Sequence, residues 1–190
     1  MKNQIRAFIA VDVSQDVRGK IHRLIQSAQR KIDGTNWVAP QNLHITLKFL
    51  GDISLNGLPE LTRALTETVT PMEPFELEFG GCGAFPDLRS PKTLWIGCTN
   101  GAKKLEQLAQ AVEESVVSLG YSRENRRFSP HLTIGRIKKQ ANPLEVSKLF
   151  ESNASQDFGT TLIDEVVLYS SELTRQGPIY EDLAVFSLKG

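Results

Sequence analysis

Two cysteines in 190 residues, no net charge and no apolar run of membrane length narrow the field before any motif is read. Cys82 and Cys98 form neither a CxxC pair nor a metal knuckle, and both sit in apolar segments where a free thiol behaves as a small buried hydrophobe. The opening "MKNQIRAFIAVDVSQD" holds only a few apolar residues in a row before Asp12, too few for a signal sequence or a membrane span. A reduced, cytoplasmic protein is therefore expected. With 22 basic and 22 acidic residues there is no overall pull toward nucleic acid, so any anion must be held by a local site. Basic residues do gather at Arg123, Arg126, Arg127, Arg136, Lys138 and Lys139. Histidine is scarce too: there are three.

Two of those three share one frame. "NLHITLKF" places His44 two residues before Thr46, and "SPHLTIGR" places His131 two before Thr133, 87 residues further on. With 12 threonines in the chain, one histidine has a threonine at that spacing by chance roughly one time in sixteen. Two such pairs at a constant offset point to design. The surrounding pattern repeats as well. "RAFIAVDV" (6–13) reads as a strand, and Ser14 caps a helix striped by Val17, Ile21, Leu24, Ile25, Ala28 and Ile32. The strand "LHITLKFLG", a helix over 58–69 and a strand over 75–85 follow. After the turn-rich connector "PDLRSPK" come a strand over 93–98, a helix over 102–119, the strand "FSPHLTIGRI", the helix "PLEVSKLFES" and a strand over 162–173. The expected fold is α+β: a duplicated β-α-β-α-β unit forming two lobes related by a pseudo-twofold axis. Each lobe is an antiparallel sheet with helices on one face, and a cleft lies between them. The chain reads as a single bilobal catalytic domain, with halves of about 1–86 and 87–173 and a closing strand at 180–188.

Side chains two apart on a strand share a face. His44 and Thr46 therefore point one way, and Leu43, Ile45, Leu47 and Phe49 the other; His131 and Thr133 oppose Leu132 and Ile134 in the same manner. His22 falls with Arg18, Gln26 and Gln29 on the polar side of the first helix and reads as a surface residue. Two imidazoles across a cleft serve as acid and base near neutral pH, and a hydroxyl beside each can donate to an oxygen that gains charge in the transition state. A phosphodiester, attacked from one side with its leaving group on the other, suits that equipment. No carboxylate or cysteine stands at ligand spacing near either motif, so neither a metal nor a cofactor is expected.

With these residues in view, the chain resembles the 2H phosphoesterase superfamily, named for paired HxTx motifs, and within it the RNA 2′,3′-cyclic phosphodiesterase (2′-5′ RNA ligase) family. "WVAPQNLHITLKFLG" (37–51) and "RRFSPHLTIGR" (126–136) carry the resemblance, which extends over essentially the whole chain. It implies hydrolysis of a 2′,3′-cyclic phosphate to a 2′-phosphomonoester without a metal. His44 would be the proton donor and His131 the proton acceptor. Thr46, Thr133 and Arg136 would bind the phosphate; Arg126 and Phe128 are candidates for contacting the substrate or for supporting the sheet. Strict alternation puts Arg136 on the Ile134 side, away from His131, unless Gly135 breaks the pleat. Trp37 and Phe49 are candidates for stacking a base or for core packing. The implied partner is RNA with a 2′,3′-cyclic end, tRNA fragments included, and no membrane; with no long exposed apolar stripe in the sequence, a monomer is expected. Hydrolysis of small cyclic nucleotides or of 2′-5′ linkages, or a non-catalytic module that binds RNA ends, are the competing readings. The same acid–base chemistry, with a cyclic phosphate and a 5′-hydroxyl, would ligate RNA without a nucleotide cofactor.

Overall fold

A computed structural model describes residues 3–138, 143–175 and 177–190. Lys139, the last of the basic cluster, lies outside them. The order is β1 (Gln4–Asp12), α1 (Gln15–Ala28), β2 (Thr35–Trp37), β3 (His44–Ser54), α2 (Leu58–Val69), β4 (Phe75–Phe85), β5 (Thr93–Cys98), α3 (Ala102–Ser118), β6 (His131–Ile137), α4 (Pro143–Asn153), β7 (Asp157–Ile163), β8 (Glu165–Thr174) and β9 (Gly177–Ser187). The class is α+β, as expected.

The strands make two antiparallel sheets, ordered β3-β1-β8-β9 and β2-β6-β5-β4-β7. Sequence order and sheet membership do not coincide. β4, from the first half of the chain, pairs with β5 in the five-stranded sheet, while β8 returns to pair with β1 in the four-stranded one. The crossing ties the two sheets to one continuous core, to which Ile9, Val11 and Ile45 contribute from one sheet and Leu94, Ile96 and Leu132 from the other.

Local chemistry explains the helices. The Ser14 hydroxyl accepts from the Val17 amide at 3.4 Å and donates to the Thr160 carbonyl at 3.1 Å, so the cap of α1 is also stitched to β7. Val17, Ile21, Ile25 and Ala28 form its buried stripe. Leu61, Leu65 and Val69 of α2 and Leu105, Leu108, Val112 and Val116 of α3 do the same. Burial of the two thiols pushes Cys82 up to about 11 and Cys98 up to about 12, so both stay protonated and unreactive at neutral pH.

Two expectations need correction, and one strand was missed. The strand expected over 162–173 is two strands, β7 and β8, parted at Asp164. β2 was not anticipated, because three residues are too few to show alternation. His22 is only half exposed, and its Nδ1 is buried with no hydrogen-bond partner among the described residues.

Candidate active site

Each histidine begins a strand, and each is fixed in the same way. Nδ1 of His44 lies 2.8 Å from the Asn42 carbonyl, and Nδ1 of His131 lies 2.7 Å from the Ser129 carbonyl. A carbonyl only accepts, so Nδ1 carries the proton in both rings and Nε2 is left for chemistry. Nε2 of His44 meets the Thr46 hydroxyl at 3.1 Å. While His44 is neutral, that hydroxyl donates to the ring. Once His44 is protonated, Nε2 donates instead and the threonine proton is free for a substrate oxygen.

The next residue in each strand is the important irregularity. On β1, Ala10 pairs with Thr46 but Ile9 pairs with Lys48, leaving Leu47 as an extra residue. On β5, Trp95 pairs with Thr133 but Leu94 pairs with Gly135, leaving Ile134 extra. These are β-bulges at corresponding positions, one residue past each threonine, and each reverses the alternation beyond it. Phe49 and Arg136 are thereby swung onto the histidine side. Arg136, which strict alternation assigned to the Ile134 face, pairs with Thr93 and donates to its hydroxyl at 3.4 Å. Thr93 shares a face of β5 with Trp95 and Gly97, opposite Thr133 and His131. Phe49, assigned to the core row, is instead 56 % exposed, with its ring 6.2 Å from Phe8. Gly135 suits the second bulge because Thr35 and Trp37 lie across it: a Cβ there would sit 2.9 Å from Thr35 Cγ2 and 3.0 Å from the indole. Trp37 therefore packs on the bulge, half-buried against the core. The 87-residue offset does not extend to β1 and β5, where Trp95 rather than Gly97 takes the place of Ala10 opposite the threonine.

β3 and β6 touch across the gap between the sheets. Arg136 links the two histidines electrostatically, since its charge acts on both. Burial drives the His44 pKa below the ordinary 6.5; the Asn42 bond and Asp12 oppose this, and Arg18 and Arg136 add to it. Burial likewise lowers His131, with the Ser129 bond opposing and Arg136 reinforcing. Because the neutral rings are the favoured folded forms, their contribution to stability is present above pH 6.5 and is lost as the pH falls below it.

Aromatic walls surround both rings, and the sequence reading missed them. Phe8 lies 4.9 Å from His44 and stacks on Tyr169 at 5.2 Å, while Tyr180 meets His44 edge-on at 5.4 Å. The Tyr169 hydroxyl donates to Asp12 at 2.9 Å; burial first, then that carboxylate, raises its pKa. Phe85 meets His131 edge-on at 4.9 Å, and Trp95 lies 6.4 Å away. Trp95 occupies this place because Gly83 has no side chain: a Cβ there would fall 1.9 Å from the indole. The available signal was on β1, where Phe8 and Ala10 alternate with the core residues Ile9 and Val11. Of the other named residues, Phe128 is half-buried against the core, whereas Arg126 is exposed on the loop before β6. Among the described residues no group of three or more His, Cys, Asp or Glu side chains is placed to hold a metal ion.

Known proteins resemble this chain in sequence and fold. The family model of the 2′-5′ RNA ligase superfamily matches residues 17–175. The RNA 2′,3′-cyclic phosphodiesterase of Archaeoglobus fulgidus is 38 % identical over 182 residues, covering 96 % of this chain and 99 % of its own. That of Aquifex aeolicus is 36 % identical over 187 residues, covering 98 % of each. Among solved structures, TT0787 of Thermus thermophilus superposes with a TM-score of 0.84 at 26 % identity, and E. coli LigT complexed with 3′-AMP with 0.81 at 26 %; each match covers 98 % of this chain and 99 % of the other. No helix among the described residues is long and apolar enough to cross a membrane. The chain belongs to the 2′-5′ RNA ligase superfamily, a family of 2H phosphoesterases.

Proposed function

We propose that the protein opens the 2′,3′-cyclic phosphate at the end of an RNA, leaving a 2′-phosphomonoester, by acid–base catalysis between its two histidines. The observation that carries the reading is the matched pair of imidazoles, each held as the Nδ1–H tautomer by a backbone carbonyl two residues back. His131 Nε2 takes a proton from water as its oxygen bonds to phosphorus. The P–O3′ bond breaks, and His44, protonated at Nε2, gives its proton to the departing O3′. Thr46 and Thr133 donate to the non-bridging oxygens, and Arg136 offsets the negative charge that builds on them. Both sheets supply parts of this one site, which makes the chain a single catalytic unit. With a 5′-hydroxyl in place of water as the nucleophile, the same steps in the same direction, with P–O3′ broken and O3′ protonated, form a 2′-5′ linkage without a nucleotide cofactor.

The test is an RNA oligomer with a 2′,3′-cyclic end, incubated in excess chelator and followed by phosphorus NMR. The cyclic resonance should give way to that of a 2′-phosphomonoester at an undiminished rate. No turnover, a 3′-phosphate product, or activity restored only by a divalent ion contradicts the proposal.

The depressed histidines set the pH response. The base must be neutral and the acid protonated, and both titrate below 6.5 in the free enzyme. A plot of kcat/KM against pH should therefore be bell-shaped with its maximum on the acid side of 6.5. Removing a positive charge raises both values, so Arg136→Gln should move the whole bell toward alkali while lowering its height. A bell that keeps its position places the guanidinium away from the histidines.

A further inference from the structure

The bulges give Phe49 and Arg136 corresponding positions, one on each histidine strand, yet their chemistry is opposite. Arg136 suits an anion, whereas Phe49 is an exposed aromatic ring on the histidine face of β3. From His44 the ring path runs 4.9 Å to Phe8 and 6.2 Å on to Phe49, and there the surface opens into a cavity of about 480 Å³. Its far wall is the loop between α3 and β6, which contributes Tyr121, Arg123, Asn125 and Arg126. Among the described residues neither Arg123 nor Arg126 is in an ion pair, whereas their neighbour Arg127 is held by Glu106 at 3.3 Å. Glu124, the carboxylate on this wall, lies 3.9 Å from Lys48 and is partly offset by it.

Lys48 also makes the wall firm. Its side chain is 1 % exposed; Nζ donates to the Ser122 carbonyl at 2.7 Å and pairs with Glu113 at 2.7 Å, and Glu113 accepts from the Glu124 amide at 2.7 Å. The bulge at Leu47 that turns Phe49 outward is the same one that turns Lys48 inward. One local irregularity thus supplies both the stacking ring and the anchor of the loop opposite it.

An aromatic face beside unpaired guanidinium groups and an amide is equipment for a nucleotide: the base stacks, the phosphodiester is neutralised, and the base edge finds a hydrogen-bonding partner. A strand with a 2′,3′-cyclic end continues only in the 5′ direction, so a nucleotide bound beyond the terminal one is its 5′ neighbour. We propose that this cavity is a second subsite, binding the nucleotide on the 5′ side of the cyclic terminus, and that it makes the enzyme prefer oligomers to mononucleotides. The inference rests on the cyclic phosphodiesterase reading.

The experiment compares two substrates sharing one reacting group: a nucleoside 2′,3′-cyclic monophosphate and a short RNA ending in that nucleotide. The wild type should show the higher kcat/KM on the RNA. Phe49→Ala combined with Arg123→Ala, both at exposed positions, should reduce the RNA-to-mononucleotide ratio by roughly tenfold, the worth of one stacked base. Arg123→Ala alone should reduce the ratio less and make it less sensitive to salt. A wild type with no preference, or a ratio the variants leave unchanged, overturns the subsite. Turnover of neither substrate by the wild type refutes the underlying reading and the subsite with it.

Discussion

Replacing either His44 or His131 with alanine should lower the rate of cyclic phosphate opening by on the order of a hundredfold or more. The two losses are distinguishable. A base works only when deprotonated, so the acid limb of the pH profile belongs to it, and His131→Ala should abolish that limb. An acid works only when protonated, so His44→Ala should abolish the alkaline limb. The double variant should lose little more than the worse single one, because the two proton transfers serve one displacement. Interchanged limbs would exchange the two roles. Full activity in either variant would remove that residue from the mechanism.

Lys48→Met should destabilise the fold more than most single substitutions. It leaves Glu113, whose side chain is 15 % exposed, without its main partner, and the Ser122 carbonyl without a donor. Breaking a buried pair costs about 3–5 kcal/mol, and with some solvent at Glu113 the lower end is expected. At 190 residues, about 3 kcal/mol corresponds to a fall in Tm of roughly 6–12 °C. Lys48→Met with Glu113→Leu should recover part of the loss, since the pair vanishes without stranding a charge. Burial pushes the Glu113 carboxyl up, but the bonds from Lys48 and the Glu124 amide outweigh it and hold the pKa below the ordinary 4.5. That contribution is present above pH 4.5 and is lost as the pH falls through the depressed value, so the gap between wild type and Lys48→Met should narrow in acid. A melting curve unchanged by the single variant would mean that the lysine holds nothing.

Much of this was written in local pattern. The spacing of His44 with Thr46 and of His131 with Thr133 placed each pair on one strand face, and the helical stripes located α1, α2 and α3. What escaped was non-local. A bulge belongs to the pairing of two strands, so nothing inside "HITLKF" or "HLTIGR" announces that alternation fails after the threonine. Lys48 was the available hint: a lysine in an apolar run, at the position strict alternation assigns to the histidine face, is in fact buried. Gly135 was the other, and it placed the second break correctly within one residue. The aromatic walls escaped for a different reason. Phe8, Tyr169 and Tyr180 come from three separate strands and meet only when the four-stranded sheet forms. β7 and β8 were merged because the apolar pattern runs through Asp164 with little interruption.

The central claim is that both imidazoles act on one phosphate, and nitrogen NMR of the labelled histidine rings tests it most directly. In the free protein both rings should be Nδ1–H tautomers titrating below 6.5. Adding a 2′-nucleotide, the proposed kind of product, should raise both values in parallel, because one bound anion favours the protonated form of each. A response from His44 or His131 alone would contradict the account.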